Sequence, residues 1–256
     1  MAKVARIEPE LRNHILDPDS AQVLVLLDSY EIPHRIVGGA VRNLIMGKAP
    51  RDIDIVADVD PSELVYVFEQ AGIATDLGGI AHGTVKAVFG YGKQEQKVDV
   101  SSLGYRITQA GHRLHVSRTH NWKTDARMRD LTINAMSMDS DGIIYDYVGG
   151  YADIHNQVVR LCDQAYVSLQ ADATSIMRYF RALAMFPDPQ IVPEDLQLIK
   201  HLIPRLAAVA DHKKTQMNLI TILNSAHRHR VLQLMCELGV QNHVPSVPCM
   251  AKEYES

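Results

Sequence analysis

The chain has 256 residues, of which 46% are apolar and 22% are charged, and its formal net charge is -4. This length supports one large or two small domains, and the composition excludes a mainly disordered chain. A slightly acidic chain has no overall attraction for long nucleic acid, so a polyanion has to meet a local basic patch.

Two further features bear on the cellular compartment. No apolar run reaches the roughly 18 residues of a membrane-spanning helix, and the first residues lack the apolar stretch of a signal peptide. The three cysteines, Cys162, Cys236 and Cys249, are odd in number and have no Cys-x-x-Cys spacing, which predicts reduced thiols. We therefore expect a cytoplasmic protein that has no contact with a membrane.

The first predicted elements lead into a glycine turn. Apolar spacing over residues 9–30 predicts one or two short helices with a break at Pro18. Residues 34–39 predict a short strand that enters a Gly-Gly turn, and residues 40–46 predict a helix that ends at Gly47.

Alternating isoleucines and aspartates predict the next strand. Ile53 and Ile55 alternate with Asp52 and Asp54, which is the period of a strand. The elements that follow are a helix over 61–71 and a hairpin of strands at 85–89 and 97–100. Together these elements predict an α+β fold, with a mixed sheet flanked by helices.

The second half of the chain has a different pattern. Residues 104–124 are polar, rich in His and Arg and without a clean period, which predicts a long mobile loop. From residue 168 onward the apolar spacing is helical, and the segment after Val244 predicts a loose tail. We therefore predict a mixed-sheet domain over 1–160 and an all-helical domain over 161–256.

The sharpest chemical pattern is a glycine pair followed by an Asp-x-Asp strand. Asp52 and Asp54 project from one strand face about 7 Å apart along the chain, and carboxylates at this spacing can share divalent metal ions such as Mg²⁺. Gly38 and Gly39 let the backbone approach a phosphate, and Arg42 offers the same anion a charged donor. The alternative is a solvated strand end beside a plain tight turn, but the joint occurrence favours phosphoryl transfer.

Two weaker features accompany this pattern. Asp99 lies on a predicted strand and, if that strand neighbours the one with Asp52, is a third carboxylate that orients the metal or the attacking hydroxyl. A plain surface aspartate is the open alternative. The basic stretch over 112–129, with Trp122 available for stacking, either grips RNA or the triphosphate or is a solvated loop.

These residues resemble the nucleotidyltransferase head of class II tRNA CCA-adding enzymes and bacterial poly(A) polymerases. The matching motifs are Val37-Gly-Gly-Ala-Val-Arg-Asn-Leu-Ile-Met-Gly47, Arg51-Asp-Ile-Asp54, His82-Gly-Thr-Val85, Val98-Asp-Val100 and Arg129-Asp-Leu-Thr-Ile-Asn-Ala135. In the last motif Leu131 stands where the family has phenylalanine. The likeness implies a nucleotidyltransferase head followed by a helical neck domain that binds nucleotide and RNA.

The resemblance also implies a role for each matching residue. Asp52 and Asp54 are implied to hold Mg²⁺, with Mn²⁺ as a substitute, and Asp99 to complete the catalytic carboxylates. The implied nucleotide-binding residues are Gly38, Gly39, Arg42, Arg129, Asp130, Asn134, Asp172, Arg178 and Arg181. From the residues alone, Arg129 and Asp130 predict only an ordinary surface ion pair.

Two departures from the family concern the nucleotide and the RNA. The family's neck carries an Asp-x-x-Arg pair that reads the base, whereas this chain has Asp172-Ala-Thr-Ser175, so the choice between CTP and ATP stays open. Arg178, one helical turn further on, is a partial substitute. The family continues into body and tail domains that hold RNA, so we expect a partner chain or an oligomer as one source of RNA contacts here.

The predicted function is metal-dependent transfer of a nucleoside monophosphate from ATP, CTP or both to an RNA 3′ end, with release of pyrophosphate. The expected acceptor is tRNA first, with poly(A) addition next. Two alternatives stay open. One is transfer to a small molecule or a protein, which Ser175 motivates. The other is a non-catalytic nucleotide- or RNA-binding relative, against which the retention of Asp52, Asp54, Arg129 and Asp130 argues.

Overall fold

The computed structural model describes residues 3–7, 16–50, 52–110 and 113–249. The chain divides into two compact units. The sheet unit is Met1–Arg127 with Ile133–Tyr151, and the helical unit is Met128–Thr132 with Ala152–Ser256. The predicted boundary between two domains at residue 160 stays a prediction.

The sheet unit is built on one eight-stranded sheet and a separate hairpin. The strands are β1 (Lys3–Arg6), β2 (His34–Val37), β3 (Asp54–Ala57), β4 (Ala74–Asp76), β5 (Thr84–Phe89), β6 (Gln96–Ser102), β7 (Arg106–Ala110), β8 (Arg113–Ser117), β9 (Ser137–Met138) and β10 (Ile143–Tyr145). The strand order is β1-β10-β9-β2-β3-β6-β5-β4, and β7 pairs with β8. Because β3 and β6 are parallel and β2 and β3 antiparallel, the sheet is mixed, which confirms the predicted fold class.

Helices lie between these strands in the chain. They are α1 (Pro18–Ser29), α2 (Gly39–Ile45), α3 (Pro61–Gln70) and α4 (Trp122–Arg127), and α5 (Gly150–His155) continues into the helical unit. Pro18 is the first residue of α1, a position that suits proline because the N–H that it lacks is one that the first helical turn leaves unpaired. The earlier part of the predicted helical region, residues 8–15, lies outside the described residues.

The two faces of the sheet differ in polarity. Residues that pair across neighbouring strands share a face. One face is apolar and buried and carries Ile36, Ile55, Val85, Val98, Val100, Met138 and Ile144. Helix α1 contacts β6 and α3 contacts β4 and β5, and the buried side chains of these helices complete the core. The opposite face, which we call the polar face, carries Asp54, Asp99, Lys86 and Ser137.

The predicted loop over 104–124 is wrong. Strands β7 and β8 form a hairpin there, with Ile107 opposite Val116, and α4 begins at Trp122. In β7 the apolar residues Ile107 and Ala110 are three positions apart, which breaks the two-residue period of a strand, and in β8 the period rests on only two apolar residues, Leu114 and Val116. Hydrogen bonding between the two strands supplies the order that the sequence period does not reveal.

The helical unit is nearly all-helical, as predicted. Its remaining helices are α6 (Ala165–Ala171), α7 (Thr174–Leu183), α8 (Pro193–Leu202), α9 (Lys213–Leu223) and α10 (Arg228–Glu237). Helix α7 is buried on most sides, with Ile176, Tyr179 and Phe180 at most 1% exposed, and it contacts α9. The exception is a two-residue parallel pair, β11 (Val158–Val159) with β12 (Gln190–Ile191). Within the described residues, no helix is long and apolar enough to cross a membrane.

The end of the described chain is packed, and two cysteines there are bonded. Val244 and Val247 are buried, so the predicted loose tail is wrong as far as residue 249. Cys236 forms a disulfide with Cys249, whereas Cys162 is a buried thiol. The prediction of three reduced thiols is therefore wrong for one pair. Burial of the two valines turns the chain back toward α10, a tertiary effect that cysteine spacing does not encode.

Candidate active site

A glycine turn joins the centre of the sheet to α2. Gly38 has φ 73 and ψ -134, a conformation that side-chain-bearing residues rarely adopt. Its N–H donates to the carbonyl of Met136 at 3.3 Å, and its carbonyl accepts from the N–H of Arg42 at 3.2 Å. The strand, glycine turn and helix order predicted from the sequence is therefore present. Gly39 is the first residue of α2.

The Asp-x-Asp segment lies beside this turn. Asp52 and Asp54 are exposed, and Ile53 between them is 8% exposed, which fits the predicted alternation. Asp54 pairs in register with Val37, the residue before the turn, and on its other side with Asp99. The fold thus brings the glycine turn and the carboxylates of two neighbouring strands to one region of the polar face. Arg51 lies outside the described residues.

Asp99 is held by a lysine that sequence reasoning missed. Lys86 lies opposite Asp99 in the β5–β6 hairpin, and its Nζ donates to both carboxylate oxygens, with 2.6 Å to Oδ1. A hairpin was predicted here, and opposite charges on its two strands are a signal for such a pair. The pair could not be assigned from the sequence because the predicted strands 85–89 and 97–100 leave a connection one residue longer than the observed one, 90–95, and a change of one residue shifts the register.

Arg42 and Asn134 form a second polar group in the sheet unit. Arg42 is 9% exposed, and its guanidinium donates to the side-chain oxygens of Asn134 and Asn43. A Cβ added at Gly39 would lie 3.4 Å from Arg42 Nη2, so the glycine gives the guanidinium room. Three of the predicted nucleotide-binding residues thus lie together: Arg42 bonds Asn134, and Gly39 adjoins the Arg42 guanidinium. Arg42 is fixed by asparagines rather than extended into solvent.

The helical unit gathers three of the other predicted residues. Arg178 Nε donates to Asp130 Oδ2 at 2.7 Å, and Nη1 lies 3.9 Å from Asp172 Oδ2. Arg178 also donates through Nη2 to the hydroxyl of Ser175. These four residues, Asp130, Asp172, Ser175 and Arg178, are called the Arg178 cluster below. The partner of Asp130 is therefore Arg178, which lies 48 residues away and was not predicted as such.

Charge and burial set the ionisation of this cluster. Burial raises the pKa of Asp172, but hydrogen bonds from the hydroxyl and N–H of Thr174, together with Arg178, hold the pKa below its ordinary value of 3.8. Burial and then the like charge of Arg178 lower the pKa of Arg181. Asp130 opposes this effect of Arg178 on Arg181. The Arg178 cluster combines one guanidinium with two carboxylates and a hydroxyl, so it offers both donors and acceptors to a polar ligand.

The basic stretch over 112–129 is less available than predicted. Arg118 bonds Asp58 and Asp60, each at 2.9 Å, and residue 112 lies outside the described residues. Trp122 is not free for stacking on a base. It packs against the buried Val37, Val56 and Leu103, and the Arg35 guanidinium lies 4.3 Å from its ring centre.

Comparison with known proteins identifies the family. Residues 34–160 match the family model described as the poly(A) polymerase head domain. Over 213 residues the chain is 35% identical to CCA tRNA nucleotidyltransferase 1, mitochondrial, of Danio rerio, which covers 82% of this chain. Residues 34–160 therefore form the head portion of a class II CCA-adding enzyme or poly(A) polymerase family member. The sheet unit is accordingly called the head domain.

Other relatives are named as CCA-adding enzymes, and each is matched over about half of its length. The CCA-adding enzyme of Bacillus licheniformis is 28% identical over 213 residues, covering 82% of this chain and 51% of that protein. The crystal structure of the Bacillus stearothermophilus CCA-adding enzyme in complex with CTP superposes with a TM-score of 0.72 at 25% identity, covering 94% of this chain and 55% of the other. The Danio rerio protein is covered over 48% of its length. The chain thus spans about half the length of the curated relatives it matches.

The donor chemistry of the head domain fits a divalent metal ion. Within the described residues, no group of three or more His, Cys, Asp or Glu side chains is arranged to hold a metal. Asp52 and Asp54 nevertheless present hard, exposed oxygen donors beside the glycine turn. Mg²⁺ is commonly held by one or two carboxylates, with phosphate oxygens of the substrate and water as its other ligands. An aspartate pair fits that arrangement.

Proposed function

We propose that the chain is a divalent-metal-dependent nucleotidyltransferase that adds nucleoside monophosphates from ATP, CTP or both to an RNA 3′ end. The expected acceptor is tRNA, and pyrophosphate is the second product. The observation that carries the proposal is the position of Asp54, between the strand that enters the Gly38 turn and the strand of Asp99. Carboxylates beside a glycine turn combine metal binding with phosphate binding, and the relatives named above are nucleotidyltransferases that act on tRNA.

In this proposal Asp52 and Asp54 hold Mg²⁺, for which Mn²⁺ can substitute. The metal supplies charge neutralisation at the phosphates and activation of the attacking hydroxyl. Gly38 lets the backbone come close to the triphosphate, Gly39 offers it a backbone N–H group, and Arg42 carries a positive charge next to it. Arg42 is already oriented by Asn43 and Asn134, so little side-chain entropy is lost when nucleotide binds. Asn134 positions Arg42 and contacts the nucleotide.

The helical unit carries the other residues that we propose to bind nucleotide. Arg129, Asp130 and Arg181 contact the ribose and phosphates, since guanidinium suits phosphate and carboxylate suits a sugar hydroxyl. Asp172 and Arg178 face the base. Ser175 has no charge, and its hydroxyl accepts from Arg178, which supports a guanidinium delivered from one turn further along α7. The preferred base therefore depends on Asp172 and Arg178.

The test is incorporation of each labelled NTP into tRNA that lacks its 3′ end, with Asp52→Asn/Asp54→Asn as the central variant. We expect the double variant to lose at least about a thousandfold of activity, because several kcal/mol of metal stabilisation is removed. Asp76→Asn is the matched control, since Asp76 is a carboxylate of the same sheet whose partner is Lys97. The control should keep activity. Full activity in the double variant would contradict the proposal.

The same assay separates the alternatives. Labelling of a small hydroxylated compound or a protein, with no labelling of tRNA, would favour the other acceptor classes, for which Ser175 is the motivating departure. Nucleotide binding without any turnover in Mg²⁺ or Mn²⁺ would favour a non-catalytic relative. A partner chain or an oligomer that supplies RNA contacts, and a cytoplasmic location, stay predictions. Size-exclusion chromatography with tRNA tests the first of these.

A further inference from the structure

Three charged side chains form a row across the polar face. Lys86 on β5 pairs with Asp99 on β6, and Asp99 pairs with Asp54 on β3. Residues in register on neighbouring strands lie about 5 Å apart and project to the same side. The row therefore runs from the cation Lys86 through the carboxylate of Asp99 to the carboxylate of Asp54. Asp54 belongs to the proposed metal site.

Lys86 bonds both carboxylate oxygens of Asp99, the middle residue of the row. Nζ of Lys86 donates to Oδ1 and Oδ2 of Asp99, and the two side chains are 28% and 36% exposed. An ammonium on both oxygens leaves no oxygen of Asp99 without a cation. A metal ion that approached Asp99 would have to displace this ammonium or share the carboxylate with it, and the two cations would repel.

We propose that Lys86 is an internal cation that occupies Asp99 and so confines divalent metal binding to Asp52 and Asp54. The inference rests on the metal site of the proposed function and adds a positioning residue to it. Lys86 neutralises the carboxylate next to Asp54, which otherwise would either repel Asp54 or recruit a metal ion of its own. The residue acts through Asp99.

The proposal predicts a gain of metal binding when the lysine charge is removed. In Lys86→Met the side chain keeps its length, whereas the Asp99 carboxylate next to Asp54 loses the ammonium on its two oxygens. Loss of one positive charge at roughly 5 to 10 Å strengthens divalent binding by about tenfold, or adds one bound ion. Lys86→Arg keeps a cation on Asp99 and should bind metal as the wild type does.

The measurement is Mn²⁺ binding to the whole chain, followed by electron paramagnetic resonance of free Mn²⁺, without nucleotide or RNA. We expect tighter or additional Mn²⁺ in Lys86→Met only. Lys97→Met is the matched control, because Lys97 is a partly exposed lysine of the same sheet that pairs with Asp76 and Glu95. The double variant Lys86→Met/Asp99→Asn removes both charges and should match the wild type within about threefold.

The outcomes separate this inference from the proposed function. Unchanged Mn²⁺ binding in Lys86→Met would overturn it, as would a loss of binding in Lys86→Met/Asp99→Asn, since that loss would make Asp99 a metal ligand already. If Asp52→Asn/Asp54→Asn leaves Mn²⁺ binding intact, the metal site itself is wrong and both proposals fail. If that variant abolishes binding while Lys86→Met changes nothing, only the role of Lys86 is wrong.

Discussion

The side chain of Arg178 contacts each of the other three residues of the Arg178 cluster. Its three nitrogens reach a carboxylate, a hydroxyl and a second carboxylate, namely those of Asp130, Ser175 and Asp172. Only a guanidinium has the planar fork for such a set, because an ammonium is a single point of charge. The geometry of this side chain, rather than its charge alone, is therefore expected to matter for nucleotide binding.

Arg178→Lys tests this expectation. We expect the dissociation constants of ATP and CTP to rise by about tenfold, since the fork that orients the two aspartates is lost while the charge remains. Isothermal titration with each nucleotide is the measurement. Arg230→Lys is the control, because Arg230 pairs with Asp188 on an exposed surface. Wild-type affinity of the Arg178 variant for both nucleotides would show that the cluster is not a nucleotide site.

Sequence reasoning located the residues of the site better than their contacts. Gly38, Asp52 and Asp54 were accessible because each stands in a local pattern, a strand end or a period-2 alternation. The contact of Asp130 with Arg178 joins positions 48 residues apart, for which no local pattern exists. Lys86 was missed for an intermediate reason, since its partner follows from the hairpin register and the register depends on the length of the turn.

The turn between β2 and α2 is the element on which the geometry of the site depends. It has to reverse the chain directly after Val37 and deliver Gly39 as the first helical residue. The φ and ψ of Gly38 lie in a region that residues other than glycine rarely adopt. A residue with a β-carbon would have a strained backbone there, whatever space surrounds it. The glycine is thus required by the backbone.

Gly38→Ala should lower the free energy of unfolding by about 1 to 3 kcal/mol, the usual cost of a strained backbone position. Urea titration followed by circular dichroism is the measurement. Gly47→Ala is the matched control, because Gly47 also has positive φ, at 68, but a Cβ there meets nothing within 4 Å. We expect the control to cost about 1 kcal/mol. Equal stability of Gly38→Ala and the wild type would refute the requirement for glycine.

Elements were predictable where their period was clean. The α1, α3 and central strand regions have apolar residues at regular spacing, so the mixed sheet and its helices were predicted. In the β7–β8 hairpin, β7 breaks the two-residue period and β8 keeps it with only two apolar residues, which is too few to predict a strand. Hydrogen bonding between strands compensates for weak patterning, but it is visible only once both strands are placed.

At the scale of the whole molecule, the Cys236–Cys249 disulfide fixes the end of the described chain. The two residues are 13 positions apart and their Cα atoms are separated by 5.7 Å. A covalent loop of this length restricts the unfolded chain and stabilises the folded one by about 3 kcal/mol. Neither the pairing nor the packed segment before it follows from cysteine spacing.

Reduction should therefore destabilise the protein. We expect dithiothreitol to lower the wild-type free energy of unfolding by about 3 kcal/mol and to leave Cys236→Ser unchanged. Urea titration of both proteins, each with and without reductant, is the measurement. Cys249→Ser should behave like Cys236→Ser. A wild type with the same stability in both conditions would show that the bond makes no contribution.

We expect the metal ion and the triphosphate to bind at the same site, where Asp52 and Asp54 lie beside the Gly38 turn. A crystal structure of the chain with Mn²⁺ and a non-hydrolysable ATP or CTP analogue tests it most directly. We predict anomalous manganese density on the carboxylates of Asp52 and Asp54, with triphosphate oxygens against the backbone of Gly38 and Gly39. Manganese and triphosphate bound away from these four residues would contradict it.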